Sequence, residues 1–287
     1  MVRVLSDRIK DAHLTSKQRI IADYFLKNQE RIGNMSSLDV AKSIGVSDAS
    51  IIRFSRAIGY QGFADLKNDI YNSLAGEASA AVRNMQLSER FDVLSGKYQG
   101  ENISERFQEL MNYNITRTFQ QNSEESYEQF ADLILQSTRK YVIGLRGCMG
   151  VATHFTRLLG FAVRQVICLP HNETEAMGLL QDIGEDDIFI LFSFVRYYKI
   201  DMFLSKMAKA HNAKICVITD SPLAPMVKYA DISFFVETSH MSFFNSAIGA
   251  EMIAEYIVTL VSRKNADEYR ARAKERDVLT SEFRIEG

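Results

Sequence analysis

Apolar residues recur along the chain with two different periods. Between residues 14 and 75 the period is helical throughout. Ile20, Ile21, Tyr24 and Phe25 fall three and four apart behind Thr15, a residue suited to capping a helix. A second, shorter helical unit runs from Leu38 to Ile44, with Ser36 or Ser37 as its cap. Gly45-Val46-Ser47 breaks it, and Ser47 caps a third helix from Asp48 to about Ile58. A short helix, a glycine turn and another short helix form the sequence pattern of a helix-turn-helix. In the third helix Ile51, Phe54 and Ile58 share one face. That spacing leaves Ser47, Ala49, Ser50, Arg53 and Arg56 mostly outward.

The period changes in the second half. Residues 76 to 100 mix Ala, Ser, Gly and charge and read as a linker, with one helical stretch around Ala78 to Met85. Ile103, Phe107, Leu110, Met111, Asn114 and Ile115 predict a helix that packs on the second domain or on a partner chain. From residue 124 onward short apolar runs alternate with helical segments. Tyr141 to Leu145, Val166 to Leu169, Ile188 to Phe192, Ile215 to Ile218 and Ile232 to Val236 read as strands. Continuous apolar runs separated by helices predict a parallel sheet covered on both faces. The expected class is therefore α followed by α/β: an all-helical helix-turn-helix domain (1–75), a linker and connector helix (76–123), an α/β/α sandwich with a five-stranded parallel sheet (124–265) and a helical tail (266–287). Such sheets bind ligands beyond the carboxyl ends of their strands. Three loops lie there, GLRGCMG (144–150), SFVRYYK (193–199) and TDSPLAP (219–225). Each precedes a helix or turn start, where free N–H groups favour an anion.

Composition narrows the picture. With 287 residues and 46% apolar content the chain fills a real core. The apolar stretch from Phe243 to Val261 is interrupted by Glu251 and Glu255, and no basic start followed by an apolar run opens the chain, so a cytoplasmic location and no membrane partner are expected. Cys148, Cys168 and Cys216 are widely spaced, and the five histidines are scattered, so neither a metal site nor a cofactor is expected. Residues 1–75 carry 11 Lys/Arg against 8 Asp/Glu, and the remainder 23 against 28, which hints at a polyanion partner for the N-terminal part. On the third helix, small Ala49 and Ser50 would allow close backbone approach to a DNA groove. Arg53 has the reach for a guanine edge, and Arg56 or Lys67 for phosphates. The competing reading is that Arg53 and Arg56 are solvated helix charges on a unit that merely packs.

The run VSDASIIRFSRAIGYQGFADLK, with LTSKQRIIADYFLKN and MSSLDVAKSIG upstream, resembles the DNA-binding domain of the RpiR family of bacterial transcriptional regulators, over the whole of residues 1–75. The resemblance implies double-stranded operator DNA as a partner, with Ser47, Ala49, Ser50 and Arg53 on the recognition helix and Phe54 and Phe63 in the core. The segment order of 124–263 is similar to the sugar isomerase (SIS) domain, the effector half of these regulators, which binds phosphorylated sugars. Members carry Gly-x-Gly-x-Ser in the first loop, and Ser-x-Ser followed three residues later by Thr in the second. Here Gly144 stands, but Arg146 replaces the second glycine and Cys148 the serine. Ser193 stands, while Val195 replaces the second serine and Tyr198 the threonine. Charge takes the place of hydroxyls, because Arg146 and Arg196 each offer a planar fork of donors to a carboxylate or phosphate.

The expected effector is thus a small anion, a phosphosugar or a sugar acid, held by Gly144, Arg146, Cys148, Ser193, Arg196 and Tyr198, with His171 and Ser246 nearby. Against this, the arginines pairing with Glu173, Glu175 or Asp220 would make a closed, structural site. An isomerase or lyase needs a carboxylate or histidine base, and Glu251 with Glu255, or His171 with Glu175, are the only pairs in place. Neither spacing demands chemistry, so a regulator without turnover is expected, acting as a homodimer or homotetramer.

Overall fold

A computed structural model describes residues 5, 8, 9, 12, 14–28, 32, 35–67, 69–70, 85–98, 100 and 102–281. The chain forms two compact units, Met1–Met85 and Gln86–Gly287. In the first, α1 (Ser16–Lys27), α2 (Ser37–Ile44) and α3 (Asp48–Ala57) are followed by a helical stretch at 63–67. Local chemistry starts α1 and α2. The Gln18 amide donates to Thr15 Oγ1 while the Thr15 amide donates to the Gln18 side chain, and Ser36 and Asp39 repeat this reciprocal box at the head of α2. Gly45 ends α2 with φ +75°, in the left-handed region that glycine enters at least cost. Ile21, Phe25, Val40, Ile51, Phe54, Ile58 and Phe63 close the core, with the Phe25 ring 5.2 Å from Phe54 and edge-on to Phe63.

The second unit is built on β1 (Lys140–Gly144), β2 (Val166–Cys168), β3 (Ile188–Ser193), β4 (Lys214–Thr219) and β5 (Ile232–Phe235), all parallel in the order β2-β1-β3-β4-β5. The central strands are buried along almost their whole length, which is why they read as unbroken apolar runs. Helices α6 (Glu124–Gln136), α7 (Met149–Ala162) and α10 (Ile248–Lys264) cover one face through Phe130, Phe155 and Ile253. Helices α8 (Glu173–Leu180) and α9 (Lys199–Ala210) cover the other through Leu180 and Leu204. Between β4 and β5 only a 3₁₀ turn, Val227–Tyr229, intervenes. Helix α11 (Ala266–Ser281) buries no residue of its own. It is tied to α7 by Arg272, whose guanidinium donates to the Gly160 and Phe161 carbonyls, and by Arg276 lying 3.8 Å over the Phe161 ring. Among the described residues no helix is long and apolar enough to cross a membrane.

The helical stretch expected around Ala78 to Met85 lies, apart from Met85, outside the described residues. Within the stretch read as linker there is a helix, α4 (Leu87–Lys97), and α5 (Ile103–Gln121) follows it. Arg90 anchors α4 to the segment after β5. It is 3% exposed and donates to Asn245 Oδ1 at 2.8 Å and to the Phe244 carbonyl at 3.0 Å. Beside it the His240 ring sits between Phe107 of α5 and Phe244, at 5.7 and 3.8 Å between ring centres. Its Nδ1 accepts the Ser242 amide at 3.1 Å. Burial first, and then the Arg90 cation, hold its pKa down at about 4.

A Cβ on Gly144 would lie 2.4 Å from the Cys148 carbonyl oxygen and 2.9 Å from Ala152 Cβ. Gly144→Ala should therefore cost about 3 kcal/mol in a urea titration. The folded pKa of His240 lies below its ordinary 6.5, so the unfolded chain takes up the proton first. The stability its neutral ring contributes is whole above about pH 6.5 and declines as pH falls towards about 4. Between pH 7.5 and 5 the wild type should lose about 1–2 kcal/mol more than His240→Gln does. Parallel losses in the two proteins would remove His240 as the cause.

Candidate functional site

The helix-turn-helix presents α3 through a short polar relay. Ser47 is the N-cap residue of α3, and its hydroxyl meets the Ser50 hydroxyl at 2.8 Å rather than a backbone amide. Arg53 Nη2 donates to the same Ser50 Oγ at 3.3 Å. Ser47, Ala49 and Arg53 are exposed, as the periodicity predicts. Ser50 is not outward; at 6% exposure it lies under Ser47 and Arg53 and orients both. The reason is its position one residue before Ile51, close enough to the buried stripe for its short side chain to be covered. Arg56 is exposed but spends its Nε on the Gln61 carbonyl at 3.2 Å, which closes the turn after α3. Lys67 is half-buried on the stretch beyond. Pattern reasoning missed Arg8, which stacks 4.4 Å over the Tyr60 ring and reaches the Gly59 carbonyl at 3.4 Å. Nothing local in the sequence joins residues that far apart.

In the second unit the strand register sets Gly144 of β1 opposite Phe192 and Ser193 of β3 opposite Thr219. The three loops identified from sequence therefore leave one edge of the sheet together. Gly144 admits the 3₁₀ turn Arg146–Cys148 directly above it, since any Cβ there would strike the Cys148 carbonyl. Arg146 has φ +50° and Arg196 φ +75°, both in left-handed backbone that a side chain normally makes costly. Both arginines are exposed. The Arg146 guanidinium stacks 4.5 Å over the Tyr198 ring, joining the first loop to the second. Cys148 is buried. Burial pushes its thiol up to about 12, so it packs and does not react.

The donors of the second loop converge on two carboxylates. Ser193 Oγ donates to Asp201 Oδ2 at 2.6 Å, and the Tyr198 amide donates to the same oxygen at 3.3 Å. Asp220 Oδ1, from the loop after β4, accepts the Val195 amide and the Tyr197 hydroxyl, each at 2.9 Å. Asp201 is 2% exposed, and this burial raises its pKa against the opposing pull of Ser193 and the Tyr198 amide. Asp201 was not singled out by sequence. The available signal was its place three residues after Tyr198, the spacing of a carboxylate that reaches back to the residue before a helix.

The remaining expected residues sit apart. His171 is exposed on the loop between β2 and α8. Ser246 is buried one residue before the N-cap of α10, accepting the Ile248 amide at 3.4 Å and lying 3.7 Å from Met111 Sδ, and is not an open contact. Glu255 is exposed, while Glu251 meets His154 Nδ1 of α7 at 2.7 Å. Among the described residues no cluster of His, Cys, Asp and Glu is arranged to hold a metal.

Two family models match the chain, the helix-turn-helix domain of the rpiR family over residues 7–77 and the SIS domain over 133–262. An uncharacterized HTH-type transcriptional regulator of Clostridium perfringens is 22% identical over 276 residues, covering 93% of both chains. The sugar isomerase domain of an RpiR transcription factor from Sphaerobacter thermophilus superposes with a TM-score of 0.58 at 18% identity, over 62% of this chain and 99% of that one. The Vibrio vulnificus NanR protein complexed with ManNAc-6P superposes with a TM-score of 0.57 at 14% identity, over 98% of each chain. With a helix-turn-helix that exposes Arg53 on α3 and a five-stranded parallel sheet of the SIS type behind it in sequence, the chain belongs to the RpiR family of transcriptional regulators.

Proposed function

We propose that this regulator reads operator DNA with α3 and changes its affinity for that DNA when a small anion binds at the carboxyl edge of the sheet. The observation that carries the effector half is the meeting of three loops at that edge, with Arg146 stacked on Tyr198 at its mouth. A guanidinium held flat against a ring keeps its edge of N–H donors available to an anion. NanR, alike in fold, was solved with a phosphosugar, which supports a sugar-derived ligand class. Ligand binding alters DNA affinity only if one arrangement of the chain binds the ligand better. Helix α4 is the element we assign to this coupling, because buried Arg90 fastens it to the segment that follows β5.

On the DNA side, Ser47 and Ala49 line the approach and Arg53 reads a base edge while Ser50 holds it. Arg56 and Lys67 take phosphates. The active species is a homodimer or homotetramer, since a near-symmetric operator pairs with a two-fold protein. Exposed Phe91, Ile103 and Phe107 on α4 and α5 are apolar surface that association would cover. No turnover is assigned. Of the carboxylates the sequence offered as a base, Glu251 meets His154 Nδ1 and Glu255 is exposed, and among the described residues no hydrogen bond ties either to the three loops. Interconversion of a phosphosugar pair by the purified protein, lost in Glu251→Gln, would reverse that assignment.

Arg53→Ala should weaken binding to a selected operator roughly 10- to 100-fold in fluorescence anisotropy and leave random-sequence binding nearly unchanged. Equal loss on both would make Arg53 a phosphate contact. In a thermal-shift panel of phosphosugars, sugar acids and dicarboxylates, a compound that raises the melting temperature of wild type should lose most of its effect on Arg146→Ala. A panel without any shift would leave this sheet edge without an effector role.

A further inference from the structure

We propose that Asp201 is a specificity-determining residue, an internal anion that fills the phosphate position at the start of α9 and so excludes phosphate from the effector site. The inference rests on the sheet edge being the effector site, and it names what that site refuses. The start of a helix following a strand is an anion site because unpaired amides and the helix dipole converge there. Here one of those amides and a neighbouring hydroxyl already have an anion. The Ser193 hydroxyl and the Tyr198 amide both end on Asp201 Oδ2. Asp201 stands in the first turn of α9, where a carboxylate is favoured by the dipole, and it is 2% exposed.

The neighbouring donors are engaged in the same way. The Val195 amide and the Tyr197 hydroxyl end on Asp220. An incoming phosphate dianion would have to displace a carboxylate from Ser193 and then lie against both Asp201 and Asp220, in a part of the protein where charge repulsion is weakly screened. Asp201 also reports what it stands in for. Its Oδ1 is buried without a hydrogen-bond partner among the described residues, so one oxygen takes both of its donors where a three-oxygen group would share them. A ligand's negative charge is then left to the exposed arginines of the two loops, Arg196 and Arg146, the latter above Tyr198. A planar guanidinium pairs edge-on with a carboxylate, as in a sugar acid, without needing the amides at the helix start.

Replacing Asp201 should convert the site. Wild type, Asp201→Ser and Asp201→Ser with Ser193→Ala are titrated by calorimetry with inorganic phosphate and with glucose 6-phosphate, and wild type and Ser193→Ala with gluconate as the carboxylate probe. Wild type should be indifferent to both phosphates at millimolar concentration. Asp201→Ser should bind inorganic phosphate at least about tenfold more tightly than wild type and raise its melting temperature with phosphate, and the second substitution should abolish both effects. A folded Asp201→Ser that ignores phosphate overturns the proposal. So does a wild type that binds either phosphate and loses it on Ser193→Ala, an arm that decides the question even if Asp201→Ser does not fold. Indifference of wild type to gluconate and to every other anion, with phosphate gained in Asp201→Ser, would uphold the exclusion by Asp201 and count against the effector reading alone.

Discussion

A carboxylate taken out of water must collect donors or give up its charge, and two carboxylates set the terms at the carboxyl edge of this sheet. Asp201 draws the Ser193 hydroxyl and the Tyr198 amide, and Asp220 draws the Val195 amide and the Tyr197 hydroxyl. Between them they dictate the path of residues 193–198. That path includes Arg196 at φ +75°, a conformation costing about 1–2 kcal/mol for a residue with a Cβ. Buried charged hydrogen bonds of this kind contribute enough to hold such strain in place. The loop is therefore shaped by what it binds internally before any ligand arrives.

The first loop depends on the same edge through sterics. Gly144 is the only residue type that lets the Cys148 carbonyl come so close, and the tight turn it permits carries Arg146 over Tyr198. Cys148 is then buried at the end of this turn, where burial keeps its thiol protonated. Strand-end loops of this fold commonly offer hydroxyls and free amides to a ligand. Here charge and packing from within the chain occupy the same positions, while the scaffold that presents them is unchanged.

The N-terminal unit follows a contrasting logic, in which almost every determinant is local. Reciprocal caps begin α1 and α2, a left-handed glycine ends α2, and an apolar stripe with Phe25 against Phe54 seats α3. The Ser47–Ser50–Arg53 relay spans less than two helical turns, so exposed Arg53 is oriented by neighbours on its own helix. In the second unit the corresponding control is exerted across long sequence separations. Arg90 reaches Asn245 and the Phe244 carbonyl, which places the connector helix under the influence of the segment after β5.

The sequence by itself determined the helix-turn-helix, the five parallel strands, their alternation with helices and the three loops at the carboxyl edge, because periodicity, caps and turn residues act over a few positions. It also placed Gly144, Arg146, Ser193 and Tyr198 on those loops. Only the tertiary structure decided what these residues do there. Whether Ser193 offers its hydroxyl outward or to Asp201, whether Ser50 faces a groove or lies beneath Arg53, and whether Arg90 is a solvated charge or a buried anchor all depend on which partner stands opposite. α4 shows the same limit, since its few apolar residues among polar ones read as linker until Arg90 finds Asn245. Hydrogen-bond donors and acceptors are directional and are paired through space, so the identity of a polar residue announces its capacity and the fold alone assigns its partner.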